Sequence, residues 1–219
     1  MKLRQIFIVV LFISFILVGT AGAFGLGDVV GKSSGGGDID SFLVRAKTAE
    51  ALVNASTKSL YEATASKEDQ AKVEEMQKKM NEITDPQEKN KLQKELTETE
   101  NAIVEKNAKD AELQKQAAVW DAQKKQHVSN AFFNYALGAL QAGACVKDGK
   151  SIVSNPANAM KAATKLGEVK DSLASLGGFA TGSVNTISAL KTFMSAANIS
   201  VTLPTSTTEK AKENIAGGI

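Results

Sequence analysis

The sequence of 219 residues has little of several residue types on which common folds and functions depend. With one cysteine and one histidine, it can neither close an internal disulfide nor build a metal site from several histidines. Three prolines and 5% aromatic residues favour an all-α fold over a β-sandwich or barrel. We expect Cys145 to be a small buried residue, with an intermolecular disulfide as the alternative.

A large excess of positive charge is also missing. The chain has 26 Lys+Arg and 24 Asp+Glu, and without Lys2 and Arg4 the two signs balance. Because nucleic-acid binding relies on basic side chains that neutralise phosphates, we expect no nucleic-acid partner.

The N-terminus has the pattern of an export signal. Two basic residues precede a 13-residue apolar run at residues 6–18, and small residues follow at positions 21–23. We therefore expect residues 1–23 to be a signal peptide that is cleaved before Phe24. A membrane anchor is the alternative, but 13 helical residues reach only about 20 Å. The expected location is the periplasm, with secretion as the second possibility.

Glycine is concentrated in the segment that follows, and residues 24–37 are predicted to be a flexible leader. Gly31, Lys32 and Ser33 match the last three residues of the phosphate-binding P-loop motif, but Leu26 occupies the position at which that motif requires glycine. No nucleotide or other cofactor is therefore predicted.

The centre of the chain predicts a long helical hairpin over residues 38–146. Apolar residues recur at steps of three and four, with a slip in phase near Ser66. Asp85 and Pro86 form an N-cap followed by proline, so the hairpin should turn at residues 84–86. If both arms are continuous, facing residues have numbers that sum to about 172–174, which pairs Phe42 with Phe132. Such a hairpin would be roughly 65–70 Å long.

Charge divides the chain into two parts. Residues 66–127 hold 26 charged residues of both signs, as expected for a solvated, coiled-coil-like stalk. Residues 128–146 and 172–190 carry no charge. We interpret both as helices buried in a bundle, although each is long enough to cross a bilayer.

The C-terminal part is predicted to complete this bundle. Residues 147–200 should form helices that pack on the base of the hairpin, with breaks at Asp148-Gly149 and at Gly177-Gly178. Residues 201–219 are predicted to be a flexible tail. The expected fold is therefore an all-α stalk with a helical bundle at its base.

No residue is predicted to be catalytic, cofactor-binding or metal-ligating. His127 has no acidic residue at the helical spacing of three or four, and we interpret it as a half-buried structural histidine. No serine lies in a Gly-x-Ser-x-Gly elbow, and the carboxylates alternate with lysines. An enzyme is therefore not expected.

These features favour an exported helical scaffold or protein-interaction protein, which binds a protein partner and could form a homo-oligomer. The signal peptide and long helical arms are similar in architecture to the Skp/OmpH chaperones, and this resemblance implies a periplasmic holdase as an alternative. The chain differs from them in its neutral charge and in having at most one strand-like segment, the alternating residues 199–203. The uncharged segments motivate a further alternative, a membrane-active helical protein of the ClyA kind.

Overall fold

A computed structural model describes residues 39–155 and 163–213. Within these ranges the protein has six helices, which hold 83% of the residues, and no strand. The predicted all-α class is confirmed. The predicted signal peptide and leader, residues 1–37, lie outside the described residues.

The six helices are α1 (Ile39–Thr64), α2 (Lys67–Glu82), α3 (Pro86–Ala108), α4 (Ala111–Ala118), α5 (Ala122–Ser154) and α6 (Ala163–Ala196). Four of them begin at a side chain that accepts hydrogen bonds from backbone N–H groups of the first turn: Ser66, Asp85, Asp110 and Asp121. The turn predicted at Asp85-Pro86 is present. The second arm of the predicted hairpin is not one continuous helix, because the caps at Asp110 and Asp121 divide it into three.

Helix α1 runs parallel to α3 rather than continuing into α2. Three contacts join them: Thr97 Oγ1 to Asn54 Oδ1 at 3.4 Å, Thr57 Oγ1 to Asn101 Oδ1 at 3.4 Å, and Asn107 Nδ2 to Thr64 O at 3.1 Å. Residue numbers rise together along both helices, which requires parallel directions. The phase slip predicted near Ser66 is therefore a reversal of the chain.

Helix α2 then returns antiparallel to α3. Lys106, near the end of α3, contacts Asp69 in the first turn of α2, while the turn at 83–85 joins their other ends. Met76 and Met80 are half-buried against the cluster that contains Leu96. Helices α2 and α3 are therefore antiparallel, with Asp69 facing Lys106. The predicted pairing of Phe42 with Phe132 is wrong, because these residues lie in different core clusters.

Helix α5 is the central helix, antiparallel to both α1 and α6. Three contacts show that α6 runs in the opposite direction: residue numbers fall along α5 as they rise along α6. Gly149 lies against Leu173, Tyr135 against Phe179, and Trp120, just before α5, against Phe193. Against α1, Arg45 Nη1 donates to Asp148 Oδ2 at 2.7 Å. The α5 residues Val128, Phe132 and Leu137 are completely buried. Among the described helices, none has both the length and the apolarity of a membrane span.

Glycines do not break α5 or α6, contrary to the sequence prediction. A Cβ atom at Gly149 would lie 2.6 Å from Leu173 Cδ2 and 2.8 Å from Phe42 Cε2. This glycine therefore allows three helices to approach closely, and it does not form a turn. Gly177 and Gly178 have no such neighbour within 4 Å, yet α6 continues through both.

The chain leaves α6 through Asn198, whose φ of 53° is left-handed, and Ile199 N–H donates to Met194 O. We call residues 199–213 the C-terminal strap. At its start, Ile199, Val201 and Leu203 pack on the core. The strap then follows α5, and residues 201–213, which were predicted to be a flexible tail, are hydrogen-bonded to this helix. Residues 214–219 lie outside the described residues.

Candidate functional site: the strap-binding face of helix α5

One face of α5 carries a row of buried polar side chains: Ser129, Asn130, Asn134 and Gln141. Each residue is 8% exposed or less. Burying such groups is unfavourable unless they form hydrogen bonds. All four donate a hydrogen bond to main-chain oxygens of the C-terminal strap. We call this surface of α5 the α5 face, and the strap lies on it.

Asn134 makes the most specific of these contacts. Its Nδ2 donates to Lys212 O at 2.7 Å, and its Oδ1 accepts a hydrogen bond from Lys212 N at 2.7 Å. A single amide side chain therefore satisfies both polar main-chain groups of one strap residue. No side-chain atom of that residue takes part in these two bonds.

The neighbouring amides extend this pattern. Asn130 Nδ2 donates to Glu213 O at 2.8 Å, and Asn130 Oδ1 accepts from Gln126 Nε2 at 2.7 Å. The second bond orients the Asn130 amide toward the strap. Gln141 Nε2 donates to Thr207 O at 3.0 Å, two to three turns further along α5. The face thus binds main chain over about 11 residues of helix, or about 16 Å.

The strap runs down α5 and then returns. Ser200 lies opposite Ser129, Thr207 lies opposite Gln141, and Glu213 lies opposite Asn130. The turn between the two arms is closed by the Glu209 carboxylate, which accepts hydrogen bonds from the backbone N–H groups of residues 205 and 206. These backbone hydrogen bonds lower the pKa of Glu209.

Apolar and charged contacts complete the α5 face. Ala211 packs against a small cluster formed by Leu52, Phe133 and Leu137. Lys212 Nζ lies 4.3 Å from the centroid of the Phe133 ring, within the range of a cation–π interaction. The strap therefore contributes one small apolar residue and one cation to this site.

A second concave region lies between α3, α4 and α6, with a volume of about 530 Å³. Its charged side chains pair with each other, because Lys109 Nζ lies 2.6 Å from Glu105 Oε1. Gln114 Nε2 donates to Ala108 O at 2.9 Å. These polar groups already bind within the protein, so this groove is a weaker candidate than the α5 face.

The Asp69 carboxylate joins the start of α2 to the end of α3 through hydrogen bonds. Burial by itself would raise the pKa of Asp69, but hydrogen bonds from Asn107, Ser66 and Lys106 outweigh it and lower the pKa to about 2. Asn107 Nδ2 also donates to Thr64 O, so the same amide joins α1 to this cluster. These contacts hold three helices together and leave no group free for chemistry.

Glu100 is buried between α3 and α1, with 5% of its surface exposed. Burial raises the pKa of Glu100 to about 7, while Lys58 lowers it and Glu62 raises it further. No imidazole or nucleophile is among these neighbours. We interpret Glu100 as a determinant of how stability depends on pH.

The residues considered in the sequence for chemistry are scattered. His127 is half-buried at the start of α5, as predicted. Cys145 is a free, buried thiol, and burial raises its pKa. Over residues 39–155 and 163–213, no three His, Cys, Asp or Glu side chains come close enough together to hold a metal ion.

The polar residues of the α5 face were missed in the sequence. A signal was present, because Asn130, Asn134 and Gln141 lie four and seven residues apart within an uncharged, largely apolar segment. Such spacing places them close to one side of a helix. The strap oxygens that accept their hydrogen bonds lie 66 to 83 residues further along the chain, and nothing in the local sequence indicates this contact.

Comparisons of the chain with protein-family models, curated proteins and solved structures gave no match.

Proposed function

We propose that the protein is an exported helical scaffold without catalytic activity, which binds other proteins. The observation that supports this proposal is the α5 face, where an extended polypeptide segment is bound through its main chain. Main-chain hydrogen bonds combined with a small apolar contact are a common way to recognise an extended peptide.

The hairpin formed by α2 and α3 is the stalk in this proposal. Its seam is narrow, with Met76, Met80 and Leu92 only half-buried, and most of the other side chains around the turn are exposed. A narrow seam with a charged surface suits a spacer that holds the bundle away from a second attachment point. Export by cleavage of residues 1–23 belongs to the same proposal, and N-terminal sequencing of the exported form should start at Phe24.

A holdase-type chaperone is the second candidate. The bonds from Asn130, Asn134 and Gln141 go to main-chain atoms, so they place no demand on the side chains of a bound segment. A site of this kind tolerates many sequences, as a holdase requires. The two candidates differ in the number and the folded state of the partners.

Affinity purification from the envelope fraction tests the proposal, with the full chain carrying an affinity tag. Asn134→Ala removes two contacts of the α5 face, whereas Asn185→Ala changes an exposed residue of α6 and is the control. We expect a few defined partners that are lost with Asn134→Ala and kept with Asn185→Ala.

Other outcomes separate the alternatives. Many unfolded clients, lost in the same selective way, would favour the holdase. Release of dye from liposomes by the unmodified protein would favour the membrane-active class. Partners retained equally by all three proteins would mean that the α5 face does not bind them.

A further inference from the structure

We infer that the contact between α1 and α3 is sensitive to pH: it is closed while Glu100 carries a proton, and it loosens when the Glu100 carboxylate ionises. This contact joins the antiparallel pair of α2 and α3 to the first helix of the bundle. The inference goes beyond the proposed function, and its test needs no binding partner.

Glu100 lies inside the contact, with 5% of its surface exposed. Its neighbours in sequence join the two helices: Thr97 Oγ1 lies 3.4 Å from Asn54 Oδ1, and Thr57 Oγ1 lies 3.4 Å from Asn101 Oδ1. The contact that brings α1 and α3 together therefore also takes this carboxyl group out of water.

The hydroxyl groups opposite Glu100 donate their hydrogen bonds elsewhere. Contacting residues of α1 and α3 differ by 43 or 44 in number, which places residue 100 beside residues 56 and 57. Ser56 Oγ donates to Leu52 O at 2.6 Å, and Thr57 Oγ1 donates to Asn101 Oδ1. In the part of the chain that the structure describes, neither a hydrogen bond nor an ion pair reaches the Glu100 carboxylate.

The other carboxylate that is buried among the described residues shows the difference that donors make. Asp69 accepts hydrogen bonds from Ser66, Lys106 and Asn107, and its pKa is lowered to about 2. Glu100 lacks such donors, and burial raises its pKa to about 7. An ionised Glu100 is thus a buried charge without compensation, which regains water when the two helices move apart.

The other charged and titratable groups near Glu100 come mainly from α1. Lys58 favours its ionised form and Glu62 opposes it, and these two side chains lie 3.8 Å apart, from Lys58 Nζ to Glu62 Oε1. Burial and the charge of Glu100 raise the pKa of Tyr61 to about 12, so this phenol stays neutral, and it donates to a main-chain oxygen of α2. Helix α6 has no charge over residues 172–190. The proton on Glu100 therefore governs this contact near neutral pH.

Ionisation and loosening of the contact are thermodynamically linked. A carboxyl group that regains water when two helices separate loses its proton at a lower pH than one that is held in the closed contact. A covalent lock between α1 and α3 should therefore raise the pH at which Glu100 ionises. Burial without loosening predicts no such shift.

Tyrosine NMR of the full chain tests this inference, because the sequence has two tyrosines. Tyr61 senses the charge of Glu100, whereas Tyr135 lies in the core of the bundle and is the internal reference. The ring signals are followed from about pH 5 to pH 9. The lock is a disulfide between cysteines introduced at positions 54 and 97, and the same variant after reduction is its control.

We expect the Tyr61 signal of the reduced protein to shift with a midpoint at or slightly below pH 7, while the Tyr135 signal stays constant. Oxidation of the cysteine pair should raise this midpoint by about 0.5 pH units or more, and reduction should restore it. Glu100→Gln should abolish the shift, whereas Glu98→Gln, at an exposed position of the same helix, should leave it unchanged.

Two results would overturn the inference: a Tyr61 signal that does not change between about pH 6 and pH 8, or the same midpoint in the oxidised and the reduced protein. The second result would make Glu100 a buried acid that titrates without loosening the contact. Neither result bears on the binding of partners, which is tested separately with Asn134→Ala.

Discussion

At the residue scale, the close approach of α1 and α5 depends on Gly138. A Cβ atom at this position would lie 2.7 Å from Val53 Cγ2 and 3.3 Å from Val53 N. Val53 is buried and β-branched, so its side chain has little freedom to move aside. We expect Gly138→Ala to lower the free energy of unfolding by about 1–3 kcal/mol, measured by urea denaturation.

Gly178→Ala is the matched control, because Gly178 also lies inside a long helix but has no heavy atom within 4 Å of the added Cβ. Alanine is the better helix former, so this variant should raise the free energy of unfolding by about 0.5–1 kcal/mol. Stabilisation by both substitutions would mean that α1 and α5 are not in close contact at Gly138.

Glu100 should make stability depend on pH near neutrality. Its pKa is raised to about 7 in the folded protein, mainly by burial, whereas an unfolded glutamate titrates near its ordinary pKa of 4.5. The stabilisation associated with the protonated form is therefore fully present below about pH 4.5. It is lost as the pH rises through 7.

Glu100→Gln keeps the shape of the side chain and removes this charge. The variant should melt about 2–4 °C above the wild type at pH 8 and close to it at pH 4.5, as measured by circular dichroism. The exposed Glu98 gives the control, since Glu98→Gln should leave the difference between the two pH values unchanged. A wild type that melts higher than Glu100→Gln at pH 8 would contradict the burial of a charged carboxylate at this site.

At the scale of the elements, the parallel arrangement of α1 and α3 separates this fold from a single long hairpin. Thr97 Oγ1 and Asn54 Oδ1 lie 3.4 Å apart, so cysteines at positions 54 and 97 should form a disulfide under mild oxidation. Cys145 can remain, since it is buried and burial raises its thiol pKa.

Positions 54 and 119 give the control pair, because a continuous antiparallel hairpin would place these two residues opposite each other. Val119 is 85% exposed in the structure, at the end of α4. Electrophoresis of the oxidised variants decides between the arrangements. Efficient crosslinking of position 54 with position 119, rather than with position 97, would support the single long hairpin and contradict the parallel arrangement.

The helix boundaries show what local sequence can reveal. Asp85 is followed by proline, which strongly indicates a helix start, and this turn was predicted correctly. Asp110 and Asp121 also cap helices in the structure, each by accepting one hydrogen bond from a backbone N–H group. Their signal is weak in the sequence because each lies in a highly charged stretch, where an aspartate also suits the solvated side of a continuous helix.

Long-range packing limited the sequence prediction in another way. Gly149 follows an aspartate, which is a common turn pair, but its role is set by Leu173 and Phe42, residues distant in sequence. The strap similarly has a polar composition that is typical of a loose tail. Its order comes from α5 side chains such as Asn134, which supply the main-chain partners that the strap cannot supply itself.

At the scale of the whole molecule, α5 is the centre of the bundle and carries the C-terminal strap. Its apolar residues pack between α1 and α6, and its remaining side is covered by the strap. The start of the strap contributes Ile199, Val201 and Leu203 to the core, whereas its returning part adds main-chain hydrogen bonds and the contact of Ala211.

Amide hydrogen exchange of the full chain, followed at residues 207–213, tests this account most directly. We predict that the amide of Lys212 exchanges at least about ten-fold more slowly than in an unfolded chain, but much faster than the core amides of α5. Asn134→Ala should remove this protection without changing exchange in α5. Exchange of Lys212 at the unfolded rate would contradict the docking of the strap, and exchange only together with the core would contradict its opening apart from the core.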